Sequence, residues 1–525
     1  MPRKDKCFSE CRGLKPNDCV VTEDKDTCKM TNGSRYKYCR LSRKYVMNKD
    51  CNITQKLKHN RSVKENSPIK ENTPIKPSSP TSQSKTRKNI AARKIIGKFM
   101  LATAAQRRAH FLKTVCSDSG ACIAFGTESK KIKDFFDGFT TFEHVDPPIK
   151  RIGVPSRNGF VNEIKYSRNE YTAYAILKSS VKPSADNLVY EYLVGQYLNR
   201  QSLKFPCFLE TYGLFYYNNS DQWSHVKNTE VITTNVLKNS LTYQPTVNYA
   251  VACQLSKLAC ILIQHLKNAE TLANKMTNVL HKHNFIRNDL LNILYQVYMP
   301  LAFLQNEFTH YDLHCSNILI YEPIKNKYIH YHYHLSNGEI VDFKSQYIAK
   351  IIDYGRCYFD DDKTKINSVK IVKEICFTNG CFPHCGYGAG FRTSARELKP
   401  NNYYTSIMYP NQSHDLRALN IMKSYIKPGN IFAYKPLNDF IQKVVYGQGI
   451  TGEKVYYGTK PNTKSGSPKY LTINNVNDAS NELKRLIKDP VVIQHNNNVY
   501  DNKEKIGDLH IYTDERNMKF IPFTL

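Results

Sequence analysis

Nowhere does the chain carry an apolar stretch long and uninterrupted enough to cross a bilayer. The opening Met-Pro-Arg-Lys-Asp-Lys also lacks the apolar core of a secretory signal. The expectation from both absences is a soluble, intracellular protein with no transmembrane segment. Acidic side chains are scarce, 46 Asp plus Glu against 75 Lys plus Arg, for a formal net charge of +29. Such an excess favours anionic partners and says nothing about fold. Glycine and proline, 23 of each, follow no period, which excludes a collagen-like chain. With 41% hydrophobic and 12% aromatic residues, wholesale disorder is excluded too. The 16 cysteines in 525 residues are too dilute for a disulfide scaffold throughout. This length suits two or three domains of about 100–200 residues each.

Composition divides the chain. In residues 1–51, six cysteines (7, 11, 19, 28, 39 and 51) lie among polar residues with few large aliphatics. Something other than burial must hold this Cys-rich basic module: zinc bound by thiolates, with Cys7 and Cys11 as the one short pair, or disulfides, or the cysteines are free thiols. Residues 52–90 contain the near-repeat Glu-Asn-Ser-Pro-Ile-Lys, Glu-Asn-Thr-Pro-Ile-Lys and read as a disordered linker. Ser67, Thr73 and Ser79 each precede proline there. Residues 91–148 open as a basic helical extension. Residues 51–110 hold fourteen Lys plus Arg and two acidic residues, which suits either docking of a nucleic acid or acidic surface or a solvated helix packed on the folded body.

The chemistry concentrates further on. His310-Tyr311-Asp312-Leu313-His314-Cys315-Ser316-Asn317 lies between an apolar helical run (290–308) and a strand (318–321). The Asp312 carboxylate could take the proton of an attacking hydroxyl, and the Asn317 amide oxygen could ligate magnesium on a nucleotide's phosphates. Ile348 to Gly355 ends a hydrophobic strand in Asp353-Tyr354-Gly355, a second metal ligand. Tyr174-Ala175-Ile176-Leu177-Lys178 reads as a strand ending in lysine, followed by Glu191 in a helical run from 187 to 198.

These motifs, in this order, resemble the protein-kinase superfamily. Asp312 and Asn317 match its catalytic loop H-R-D-x-x-x-x-N, and Asp353-Tyr354-Gly355 is similar to D-F-G. Ala175 to Lys178 is similar to V-A-I-K. The resemblance implies a Lys178–Glu191 ion pair that positions the α- and β-phosphates. It also implies a glycine-rich loop at Gly153, Gly159 and Val161, and an adenine-holding strand and hinge over 259–266 with Ile263, Gln264 and Leu266 at the nucleotide. Ala395-Arg396-Glu397 is similar to A-P-E, and His414-Asp415-Leu416 to the start of the buried helix that anchors the catalytic loop. The implied architecture is α+β and two-lobed: an antiparallel-sheet N-lobe over 149–266 and a mainly helical C-lobe over 267–525, with insertions. The implied cofactors are ATP and Mg²⁺, and the implied activity is transfer to a protein Ser or Thr hydroxyl.

The departures carry information as well. The glycine loop lacks its middle glycine, which leaves room for a pseudokinase or scaffold that binds a partner or nucleic acid through its basic arm. His314 stands where most protein kinases have Lys; the Asp-Leu-His form is similar to haspin-like and aminoglycoside- or choline-kinase-like members, so a small-molecule kinase is a further alternative. The 41 residues from Asp312 to Asp353 imply an insertion, read as a hairpin strand. Its alternating His330, His332 and His334 share one strand face but have no carboxylate or cysteine pair near them in sequence, so they read as a solvent-facing strand edge. Cys376, Cys381, His384 and Cys385 read as a glycine-rich loop with incidental thiols, and Cys116 and Cys122 as free thiols. In composition, and in the Cys-Ser-Asp-Ser-Gly-Ala-Cys segment at 116–122, the chain resembles serine/threonine kinases of giant DNA viruses of the mimivirus type. That would place it in the host cytoplasm or the virion.

Overall fold

The computed structural model describes residues 132–153, 159–169, 171–181, 188–278, 280–377, 410–426, 435–446 and 472–514, together with short strands within 19–47 and at 523–524. The chain forms two units, residues 1–94 and 95–525. The first contains an antiparallel meander: β1 (Cys19–Val21), β2 (Thr27–Met30), β3 (Arg35–Cys39) and β4 (Lys44–Met47). Cys7, Cys11 and Cys51 lie outside the described residues, as do the linker read at 52–90, the basic helix, Cys116 and Cys122.

The second unit begins with a curled seven-stranded antiparallel sheet of order β10-β8-β11-β7-β6-β5-β9. Its strands are β5 (Val145–Arg151), β6 (Gly159–Arg168), β7 (Tyr171–Ser180), β8 (Thr211–Tyr217), β9 (Val231–Ile232), β10 (Leu241–Gln244) and β11 (Ala259–His265). Alternation writes the two faces into β6 and β7. Phe160, Ile164 and Tyr166, with Ala173, Ala175 and Leu177, are buried on one face in a cluster with Trp223, Val226 and Leu237. The other face carries Val161, Ile176 and Lys178. This lobe starts earlier than the expected boundary at 149. Phe136, Phe139 and Phe142 pack into the same cluster, and Phe139 stacks on Tyr212 with ring centroids 4.2 Å apart. The lysines around these aromatics hid their apolar spacing within what reads as a basic extension.

Helix α1 (Leu188–Ser202) packs on the sheet and belongs to the larger core that fills the second lobe. There α2 (Leu290–Phe303) is buried at every residue from Leu290 to Ala302, as expected of a helix apolar on all sides. Around it lie α3 (Arg417–Met422), α4 (Val476–Ile487) and α5 (Pro490–Tyr500). The lobe is less helical than expected, because among the described residues ten strands build three further sheets. One joins β12 (Glu270–Thr271), β14 (Ile318–Tyr321) and β17 (Ile348–Ile351). A second joins β13 (Phe308–Thr309), β18 (Tyr358–Asp361) and β19 (Ile366–Asn367). The third has the order β16-β15-β20-β21, from β15 (Lys327–His334), β16 (Ile340–Ser345), β20 (Glu504–Tyr512) and β21 (Phe523–Thr524). The insertion is therefore a hairpin, as the spacing implies, but β15 is not an edge. Tyr333 packs against Tyr295 of α2 at 5.1 Å, and the chain's last long strand pairs in parallel along the other side of β15.

Four cysteines of this unit, Cys207, Cys260, Cys315 and Cys357, are buried free thiols. Burial pushes the Cys315 thiol up to about 12, so it serves as a small core residue rather than a nucleophile. No helix among the described residues is long and apolar enough to cross a membrane.

Candidate active site

Strand alternation decides where Lys178 points. Val161 lies opposite it across the β6 pairing and Ile261 across the β11 pairing, so the ammonium leaves the sheet on the face turned away from the outer core. Glu191 sits in the first turn of α1 with its side chain 3% exposed. One turn later Gly195 allows α1 to lie against β8: a Cβ there would stand 2.1 Å from Thr211 Oγ1. Asp353 follows β17, whose four residues are all buried, and adopts a left-handed backbone (φ 69°) that turns its carboxylate back toward the sheet. Lys178 Nζ then donates to Glu191 Oε2 at 2.7 Å, to Oε1 at 2.9 Å and to Asp353 Oδ1 at 2.9 Å. Burial alone would lower the lysine, but Asp353 and Glu191 outweigh it and raise Lys178 well above its usual range. Lys178 in turn holds the Asp353 carboxyl down at about 2. The Asp353 side chain remains 42% exposed, so it can still meet a ligand.

The second half of the site is the loop between β13 and β14. Asp415 is buried, and its carboxylate accepts from the backbone N–H of His310 at 2.8 Å and of Tyr311 at 3.0 Å. Burial pushes Asp415 up to about 7 despite these two bonds. His310 is fully buried and held below the usual imidazole range by that burial. Its Nε2 donates to Ile352 O at 2.9 Å while Nδ1 accepts from Asp312 N at 3.3 Å, a set of bonds that fits one neutral tautomer. Asn317 Nδ2 donates to Asp312 O at 3.0 Å, and Ile352 N donates to Asn317 O at 3.1 Å. The 310–317 loop and Asp353 are thereby tied through one backbone segment. The Asn317 amide oxygen and the Asp353 carboxylate are hard donors of the kind Mg²⁺ takes alongside phosphate oxygens, so the residues present fit that ion.

The remaining expected residues are placed unevenly. Ile263 lies half-buried opposite Ile176, on the same face as Lys178. Gln264 turns inward, its N–H donating to Glu210 O at 2.8 Å, and Leu266 is buried in the large core, so neither offers its side chain to a ligand. Packing by itself requires a glycine at 159: a Cβ there would stand 2.5 Å from Ser179 O. Gly153 has φ 66° and open space around it, while 154–158 lie outside the described residues. The A-P-E-like segment and Cys381, His384 and Cys385 lie outside them as well.

Other contacts had no local signal. Arg417 Nη1 lies 2.7 Å from Asp312 Oδ1, and Arg356 Nε 3.8 Å from Oδ2. Glu163 of β6 takes His265 at 3.0 Å and Lys267 at 2.5 Å, latching the sheet to the segment after β11. Tyr354 sends its hydroxyl to Leu209 O and Ile351 O, and Tyr190 reaches Cys357 O, so both aromatics clamp the backbone that carries Asp353.

No family model matches the chain, and no curated protein matches it. Solved structures do, among them the crystal structure of a kinase domain, at 14% identity and a TM-score of 0.23, covering 43% of this chain and 55% of that one. The match thus spans about half of that kinase domain. So poor a superposition carries no argument about activity.

Proposed function

We propose that this chain transfers the γ-phosphoryl group of ATP to a hydroxyl, in the manner of protein kinases. The observation that carries the reading is Lys178 Nζ bridging the Glu191 and Asp353 carboxylates at 2.7 and 2.9 Å, three residues from distant elements meeting at one point. Bound Mg²⁺–ATP supplies the electrophilic phosphorus and the charge neutralisation. Lys178, steadied by Glu191, orients the α- and β-phosphates; Asp353 and Asn317 hold the metal; Asp312 takes or orients the proton of the attacking hydroxyl. A protein serine or threonine as acceptor, kinship with giant-virus kinases and a place in the host cytoplasm or virion go with this reading and rest on sequence resemblance. Docking of an anionic partner on residues 51–110 goes with it too and rests on their excess of Lys and Arg.

One observation favours a second reading, a nucleotide-binding scaffold without transfer. Arg417 already occupies Asp312 Oδ1 at 2.7 Å, so the carboxylate must part from it, or act through Oδ2, to serve a hydroxyl. Two measurements separate the readings. Millimolar ATP with Mg²⁺ should raise the melting temperature of the wild-type chain; no rise removes nucleotide binding and with it both readings. Asp312→Asn should then abolish incorporation of labelled phosphate while preserving the rise. Incorporation by neither protein, across a panel including protein, choline and aminoglycoside acceptors, leaves the scaffold. Equal incorporation by both refutes Asp312 as the proton acceptor.

A further inference from the structure

Along β15, Ile329, Tyr331 and Tyr333 face the core, so His330, His332 and His334 share the opposite face. The neighbouring strands supply what the local sequence lacks. In register, β20 sets Asp508 beside His330 and His510 beside His332, while β16 sets Asp342 beside His332 from the other side. Asp508 Oδ1 lies 3.1 Å from His332 Nε2 and 3.5 Å from His330 Nδ1. The three ligand atoms of His330, His332 and Asp508 all fall within 4.8 Å of one another. Bonds of about 2.0–2.2 Å at tetrahedral angles separate neighbouring ligand atoms by about 3.3 Å, and the two carboxylate–imidazole distances straddle that value.

The surroundings are organised around the same three atoms. His332 Nδ1 lies 2.5 Å from Asp342 Oδ1, so the ring donates there and directs the Nε2 lone pair toward Asp508. A carboxylate behind a ligating imidazole fixes its tautomer and raises its basicity. Lys505 Nζ takes the other oxygen of Asp508 at 2.8 Å, leaving Oδ1 to face the histidines. His510 stacks on His332 with ring centroids 4.5 Å apart, and its Nδ1 is engaged by His334 Nε2 at 3.0 Å, so this pair walls the site rather than completing it. The two carboxylates account for the hydrogen bonds of His332, but not for His330 Nδ1 lying 3.5 Å from the same Asp508 oxygen.

We propose that His330, His332 and Asp508 form a binding site for a divalent transition-metal ion of the zinc type, with a fourth position open to water or an exogenous ligand. Two imidazoles and a carboxylate are the donors such ions take, whereas Mg²⁺ and Ca²⁺ prefer oxygen alone. The ion would tie the hairpin insertion to strand β20 through side chains, in addition to the parallel β15–β20 ladder.

The test is a Co²⁺ titration of the full chain, read by visible absorption. The site should take one equivalent showing d–d bands without the thiolate-to-cobalt charge transfer that cysteine ligation by the N-terminal module would add. His332→Ala and Asp508→Asn should each remove that thiolate-free equivalent, and Asp342→Asn should keep it with affinity about 10–100-fold weaker. Zn²⁺ should also raise the melting temperature of the wild-type chain more than that of Asp508→Asn. Absence of the equivalent from the wild-type chain, its persistence in both ligand variants, or an equal Zn²⁺-induced rise in wild type and Asp508→Asn overturns the proposal.

Discussion

Replacing Lys178 by Met should destabilise the fold more than replacing Glu191 by Gln, and the two residues should be strongly coupled. At the observed 2.7 Å the gross attraction is about 6 kcal/mol at an effective dielectric of ~20, and desolvation of both charges takes back much of it. Lys178→Met leaves Glu191, 3% exposed, facing Asp353 with no cation between them, a cost of about 3–5 kcal/mol. Glu191→Gln is milder, at about 1–2 kcal/mol, because Lys178 keeps Asp353 at 2.9 Å and a Gln oxygen can still accept. A double-mutant cycle with Lys178→Met and Glu191→Gln should therefore show coupling of about 2 kcal/mol. Urea unfolding at pH 7 with an unchanged m-value measures all four corners. Coupling below about 0.5 kcal/mol, or a Glu191→Gln cost equal to that of Lys178→Met, would refute the bridged arrangement.

Further outcomes follow from other contacts. Gly195→Ala puts a Cβ 2.1 Å from Thr211 Oγ1 and should cost about 1–2 kcal/mol despite the better helix propensity of Ala; adding Thr211→Ala should recover part of the loss in a thermal melt. Lys350 is buried, which holds its ammonium down at about 8 against 10.5 when unfolded. Between these values the unfolded chain carries a proton the folded one does not, so stability should rise with pH over that window, and Lys350→Met should abolish the rise and stabilise at pH 7 by about 1–3 kcal/mol. Glu163, bonded to His265 and Lys267, has a carboxyl held near 2 against 4.5 unfolded. Its contribution is present above pH 4.5 and lost as pH falls toward 2. Solvent screening of this half-buried cluster leaves about 1–2 kcal/mol, which a comparison of acid unfolding of Glu163→Gln with wild type would show.

Legibility in the sequence tracked locality. The Lys178 strand, the Glu191 helix and the Asp353 strand end are each written into a few consecutive residues by alternation or helical spacing, and each lies where that spacing put it. Gln264 and Leu266 stand at nucleotide contacts by family position, yet Gln264 within β11 and Leu266 just after it are both buried. Gly159 has a packing reason that no local pattern shows, a carbonyl 2.5 Å from where its Cβ would stand. The early start of the N-lobe is masked because Phe136, Phe139 and Phe142 recur at three-residue steps that suit a helix and sit among charges, so they read as part of the basic helical extension.

By itself the sequence determined which residues share a strand face: Ile176 with Lys178, and His330 with His332 and His334, because a strand's side chains alternate whatever surrounds it. Only the tertiary structure decided what those faces meet. Arg417 reaches Asp312 across 105 positions and His332 reaches Asp508 across 176, since β20 pairs with β15 through the packing of the whole lobe around α2. Local backbone sterics fix a side chain's direction within a few residues. The partner standing in that direction is set by long-range burial, for which no short stretch of sequence carries a signal.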